Sequence, residues 1–176
     1  MNKYKTAGED KPSPLQFLPV MSEQNYICRT PEETFEAGEK LGEGLRGGEM
    51  ILLSGGLGAG KTLFSKGILY ALEYDTREVT SPSFALVNLY KTERFNVYHI
   101  DLWRLDENSD VAFAVGLNEI LEDETAVVII EWSERLKNFR FPEKTIRVSI
   151  EGDGEEARKL RITNYELRIT SGDVEK

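Results

Sequence analysis

LLSGGLGAGKTLFSKGIL, residues 52–69, joins an apolar run to an amphipathic segment through a glycine-crowded turn that carries one lysine. Gly55, Gly60, Lys61 and Thr62 satisfy the phosphate-loop pattern G-x-x-x-x-G-K-T, with Gly58 and Ala59 keeping the loop free of bulk. Glycine suits such a loop because consecutive backbone N–H groups must turn inward around a phosphate, through dihedrals that a Cβ obstructs. Gly55, Gly56, Leu57, Gly58, Ala59, Gly60, Lys61, Thr62 and Leu63 are therefore the expected phosphate-binding residues. Lys61 is placed to reach the β- and γ-phosphates and the Thr62 hydroxyl to ligate Mg²⁺, while the helix that follows adds its positive N-terminal end.

The flanks agree with that reading. MILL, residues 50–53, is a continuous apolar run that suits a strand covered on both faces, and Phe64, Ile68 and Leu72 recur at helical spacing. Upstream, residues 25–29 read as a first strand. TPEE then supplies an N-cap at Thr30, proline at the first helical position and Glu33 at capping-box spacing. Downstream, residues 84–91 and 96–103 alternate around a charged turn and read as a hairpin. Tyr98, Ile100 and Leu102 fall on one face of its second strand, and His99, Asp101 and Trp103 on the other.

Residues 109–121 are mostly helical with a break near Gly116, and AVVII, residues 126–130, is a second buried strand that ends at Glu131 and Trp132. The alternation of Ile146, Val148 and Ile150, then of Leu160 and Ile162, fits half-exposed antiparallel strands. The expected fold is an α/β mixed sheet of the P-loop NTPase type, with central parallel strands, an antiparallel extension and helices on both faces. Residues 1–24, polar and carrying Pro12, Pro14 and Pro19, are expected to be a disordered extension. A single domain is expected over residues 25–170 and a tail over 171–176.

Composition narrows the chemistry. The 176 residues, 40% of them hydrophobic, suffice for one sizeable core, and no stretch reaches the roughly 18 apolar residues of a membrane span. A cytoplasmic protein without membrane association is the expectation. Cys28 is the only cysteine and His99 the only histidine, which leaves oxygen ligands for any metal. A formal net charge of −9 is ill-suited to holding a polyanion, so contact with nucleic acid is expected only through a partner.

A phosphate loop needs a carboxylate for Mg²⁺ and a group that senses the γ-phosphate. Glu131 ends a buried strand, at the sheet edge where the loop should lie. Asp101 shares a strand face with His99. Either acid also fits a surface or capping role, and His99 suits a structural histidine as well as a base. Thr80, Ser81, Pro82, Ser83 and Phe84 offer hydroxyls beside a rigid proline, which suits a switch-like segment as well as a plain turn.

GLGAGKT, SPSF, HIDLWRL and IIEW, in this order and spacing, resemble the TsaE (YjeE) family, bacterial P-loop ATPases of tRNA threonylcarbamoyladenosine biosynthesis. The resemblance implies ATP, Mg²⁺ and weak intrinsic hydrolysis. It also implies an accessory role toward TsaD and TsaB, which transfer threonylcarbamoyl to tRNA, so that tRNA is met only through that complex. It makes Thr62 and Glu131 ligands of Mg²⁺, Asp101 a catalytic or metal-organising carboxylate, and Lys61, Asp101 and Glu131 the catalytic set. Residues 81–84 become a switch-like loop, and Glu33 lies where the family approaches the base. This chain departs from the family pattern in having Gly56 where an acid is usual, Ser83 for threonine and Trp103 for tyrosine.

Two other functions fit the same loop. A small-molecule kinase would use Arg135, Lys137 and Arg140 as a basic lid, and a nucleotide-gated scaffold would use binding alone. GTP specificity is disfavoured, since neither N-K-x-D nor D-x-x-G occurs.

Overall fold

The computed structural model describes residues 16–106, 109–153 and 156–170. At its centre lies β2 (Met50–Ser54), whose first four residues are all buried, flanked by β5 (Val127–Glu131), buried throughout. These strands pair in parallel with Ile51 opposite Ile129 and Leu53 opposite Glu131. Burial on both faces explains why each reads as an unbroken apolar run. β5 also pairs in parallel with β4 (Asn96–Asp101), which forms the expected hairpin with β3 (Val87–Lys91).

On the other side of β2 stands β6 (Thr145–Glu151), again parallel. The antiparallel extension continues through β7 (Arg158–Thr170) to β1 (Gln16–Cys28). The seven strands lie in the order β1-β7-β6-β2-β5-β4-β3. β1 begins at Gln16 and not at residue 25, so residues 16–24 of the expected extension are strand. Each is matched by a residue of the long β7, from Gln16 opposite Thr170 to Gln24 opposite Ile162. Backbone pairing overrides the weak side-chain pattern of that stretch. The remainder of the expected extension, residues 1–15, and the tail, 171–176, lie outside the described residues.

One face of the sheet is covered by α1 (Pro31–Glu43) and α2 (Lys61–Ala71). Thr30 caps α1, its Oγ1 accepting from the Glu33 N–H at 3.2 Å, and Glu33 Oε2 accepts from the Arg29 N–H at 2.5 Å. Phe64, Ile68 and Leu72 of this layer pack with Ile51, Leu53, Val127 and Ile129, and removing a side chain such as Phe64 from water contributes about 1.5–3 kcal/mol. The two helices touch backbone to backbone. A Cβ on Gly38 would overlap the Phe64 carbonyl oxygen, and one on Gly67 the Phe35 carbonyl oxygen.

The opposite face carries the short helices α3 (Val111–Ala114) and α4 (Leu117–Ile120), separated at Gly116, whose φ of 64° breaks the helical path. Val111, Leu117 and Leu136 pack there on Leu52, Ile100, Val128 and Ile130. Among the described residues no helix is long and apolar enough to cross a membrane. Every parallel strand ends at the same sheet edge, where β2 runs into the glycine loop.

Candidate functional site

The loop leaves β2 at Gly55 and enters α2 at Lys61, with Gly55, Gly58 and Gly60 at φ of 143°, 78° and 108°. These are conformations that side chains disfavour. At Gly55 a Cβ would also overlap the Ile150 carbonyl oxygen of the neighbouring strand. Gly56 differs, because a side chain there would meet nothing within 4 Å. The absence of an acid at that position is therefore not a steric requirement. Leu57 projects into solvent, whereas Ala59 is fully buried and its N–H donates to Gly56 O at 3.3 Å.

Lys61 is only 5% exposed. Its ammonium donates to Gly55 O at 2.7 Å and Gly56 O at 2.8 Å and lies 3.8 Å from the centre of the Trp132 ring. Burial pushes its pKa below the usual lysine range, while the charges of Glu131, Glu134 and Asp101 act the other way. The loop thus holds a largely desolvated cation on weak neutral acceptors, where an anion would be a better partner.

The strand register brings the two acids together. Asp101 sits directly opposite Glu131 across β4 and β5, and both are almost fully buried. Glu131 Oε2 accepts from the Thr62 hydroxyl at 3.1 Å, and its Oε1 lies 2.8 Å from His99 Nε2. A carboxylate is acceptor-only, so Nε2 carries the proton in this bond. Asp101 Oδ2 accepts from the Ser81 hydroxyl, and Oδ1 from the Trp103 N–H at 2.9 Å. That last bond turns the chain out of β4 at Asp101, two residues before the expected end of the strand.

Lys61, Thr62, Ser81, Asp101, Glu131 and Trp132 line one cleft of about 470 Å³, which Leu57, Gly58, Leu63 and Ser83 also border. Trp103 and Trp132 pack at its wall with ring centres 4.4 Å apart and planes tilted by 38°. Thr80 and Pro82 hold the switch-like segment through their carbonyls, which accept from the Tyr90 hydroxyl and the Leu86 N–H. Leu86 lies at φ 66°, which delays β3 to Val87. Phe84 is 84% exposed and stacks on the Arg104 guanidinium, outside the cleft. Glu33 does not line the cleft and is engaged in capping α1.

Among the described residues there is no cluster of three His, Cys, Asp or Glu side chains able to cage a metal. The Thr62 hydroxyl and the Glu131 carboxylate nevertheless suit Mg²⁺, a hard cation that takes one or two protein oxygens and completes its shell with water and phosphate. Sequence reasoning missed the His99–Glu131 pair. The strict alternation that places His99 beside Asp101 on one face was the available signal.

Residues 28–160 match the family model for threonylcarbamoyl adenosine biosynthesis protein TsaE. A protein of Rickettsia felis named tRNA threonylcarbamoyladenosine biosynthesis protein TsaE is 35% identical over 125 residues, 71% of each chain. Proteins of the same name from Nostoc sp. and Rickettsia bellii are 36% and 33% identical, covering 79% and 82% of this chain and 85% and 97% of their own. Among solved structures, the crystal structure of Bacillus subtilis YdiB superposes with a TM-score of 0.66 at 26% identity, over 82% of this chain and 87% of that one.

Proposed function

The chain belongs to the TsaE family, and from that premise we propose that it is a Mg²⁺-dependent ATPase that cycles a TsaD–TsaB-like complex during threonylcarbamoyl modification of tRNA. The observation that carries this reading is the convergence of Lys61, Thr62, Asp101 and Glu131 in one cleft at the mouth of the phosphate loop.

In this reading the loop N–H groups and the N-terminus of α2 receive the β-phosphate of ATP. Lys61 exchanges its two carbonyl acceptors for phosphate oxygens, an exchange favoured because a desolvated ammonium gains a full counter-charge. Thr62 and Glu131 would hold Mg²⁺, which would supply positive charge to the phosphate chain. His99 keeps the Glu131 carboxylate aimed at Thr62 by occupying its other oxygen. Asp101, held by Ser81 and the Trp103 N–H, orients the attacking water and accepts its proton. Ser81 ties the switch-like segment to that carboxylate, which gives occupancy of the site a path to the outer surface.

The acidic chain leaves the chemistry on tRNA to its partners. The kinase alternative draws no support from Arg135, whose guanidinium donates to Leu105 O at 2.5 Å and lies over both tryptophans. The test is ATP turnover with TsaD, TsaB and tRNA added. Stimulation is expected, and unchanged turnover at saturating partner contradicts the coupling.

A further inference from the structure

Arg158 opens β7, and its side chain shares the sheet face of Leu160 and Ile162 beneath α1 and α2. It lies opposite Cys28, the last residue of β1. Because β7 runs antiparallel to β6, its first residue stands at the edge where the parallel strands end. That is the edge of the phosphate loop. Arg158 is only 6% exposed, and its Nε is buried without a hydrogen-bond partner. Among the described residues the guanidinium has no carboxylate partner either. Nε lies 3.3 Å from the point that a Cβ on Gly60 would occupy, beside Thr34 Cγ2 at 3.4 Å from the same point. The cation therefore flanks the last glycine of the loop, on the side of α1 and away from the Glu131 carboxylate.

A guanidinium whose Nε is buried without a hydrogen-bond partner, and which has no carboxylate partner among the described residues, costs the unliganded fold stability. Its position at the loop identifies what would compensate it. We propose that Arg158 is a nucleotide-binding residue that donates to an α- or β-phosphate oxygen, so that the loop closes on the phosphate chain between two buried cations, Lys61 and Arg158. Arginine fits this role because its fixed fork of donors matches phosphate oxygens. The inference rests on the nucleotide-binding reading above.

The experiment measures ADP and ATP affinity, by calorimetry in chelator, together with the melting temperature of the unliganded protein, for wild type, Arg158→Met and Arg158→Lys. A lost charge-assisted hydrogen bond is expected to weaken nucleotide binding about tenfold or more in Arg158→Met, with partial recovery in Arg158→Lys. The unliganded melting temperature is expected to stay level or rise, because a buried N–H without a hydrogen-bond partner has been removed. Opposite signs in affinity and stability separate a ligand-binding role from a structural one. Affinity within about twofold of wild type, or a loss matched by a fall in unliganded melting temperature, overturns the proposal. Failure of wild type itself to bind either nucleotide would instead overturn the reading on which it rests.

Discussion

The Thr62 hydroxyl donates to Glu131 Oε2 at 3.1 Å, linking the first turn of α2 to the end of β5 across 69 positions of sequence. Here β2 and β5 are adjacent parallel strands, and the register with Leu53 opposite Glu131 brings the two side chains together. Glu131→Gln keeps the shape but removes the charge and leaves one acceptor oxygen where Thr62 and His99 each use one. ATP binding in chelator is expected to persist, while Mg²⁺-dependent hydrolysis falls by about 100-fold or more. Single-turnover phosphate release is the readout, and undiminished release would remove Glu131 from the chemistry.

The Lys61 ammonium over the Trp132 ring provides an optical signal. In a Trp103→Phe background, which leaves Trp132 as the sole indole, ADP is expected to change emission as Lys61 turns toward phosphate. Lys61→Ala should abolish the nucleotide-dependent change and weaken binding. A response of unchanged size in Lys61→Ala would show that the lysine does not move.

Gly67 lets α2 approach α1 closely. Alanine there gains about 1 kcal/mol in helix propensity but must push the Phe35 carbonyl away, and overpacking of this kind typically costs about 1–3 kcal/mol. Urea unfolding of Gly67→Ala is expected to show a net loss of stability. A gain would mean that the helices separate readily.

Asp75 accepts from Nε and Nη2 of Arg77 and from its N–H, and these bonds hold the carboxyl down at about 2, against an ordinary value of 3.8. Because the folded value is depressed, the pair's contribution to stability is complete above the ordinary value and is lost as pH falls through about 2. Carbon-detected NMR titration is expected to show this midpoint, and Arg77→Ala should raise it toward 3.8. A midpoint unmoved by the substitution would assign the shift to another cause.

What was readable in the sequence divides along a physical line. The phosphate loop is legible because its residue types encode its dihedrals, as Gly55, Gly58 and Gly60 demonstrate by their positive φ. β2 and β5 are legible because strands buried on both faces have no polar side to confuse the pattern. Asp101 and Glu131 could be named but not paired, since their meeting depends on strand order. His99 and Arg158 depend on it more heavily still, one reaching across β4 to β5 and the other arriving from the antiparallel extension. The start of β1 was hidden because main-chain pairing with β7, and not side-chain periodicity, determines where it begins.

In the proposed function, ATP hydrolysis in this cleft drives repeated turnover of a partner complex. The most direct test follows tRNA modification and ATP consumption together, in a reconstitution with TsaD, TsaB, threonylcarbamoyl donor and tRNA, comparing wild type with Glu131→Gln. Wild type is expected to support many rounds and the variant, though it binds ATP, to stall after about one. Normal multi-round modification by a variant that binds but does not hydrolyse ATP would contradict that function and leave a nucleotide-gated scaffold in its place.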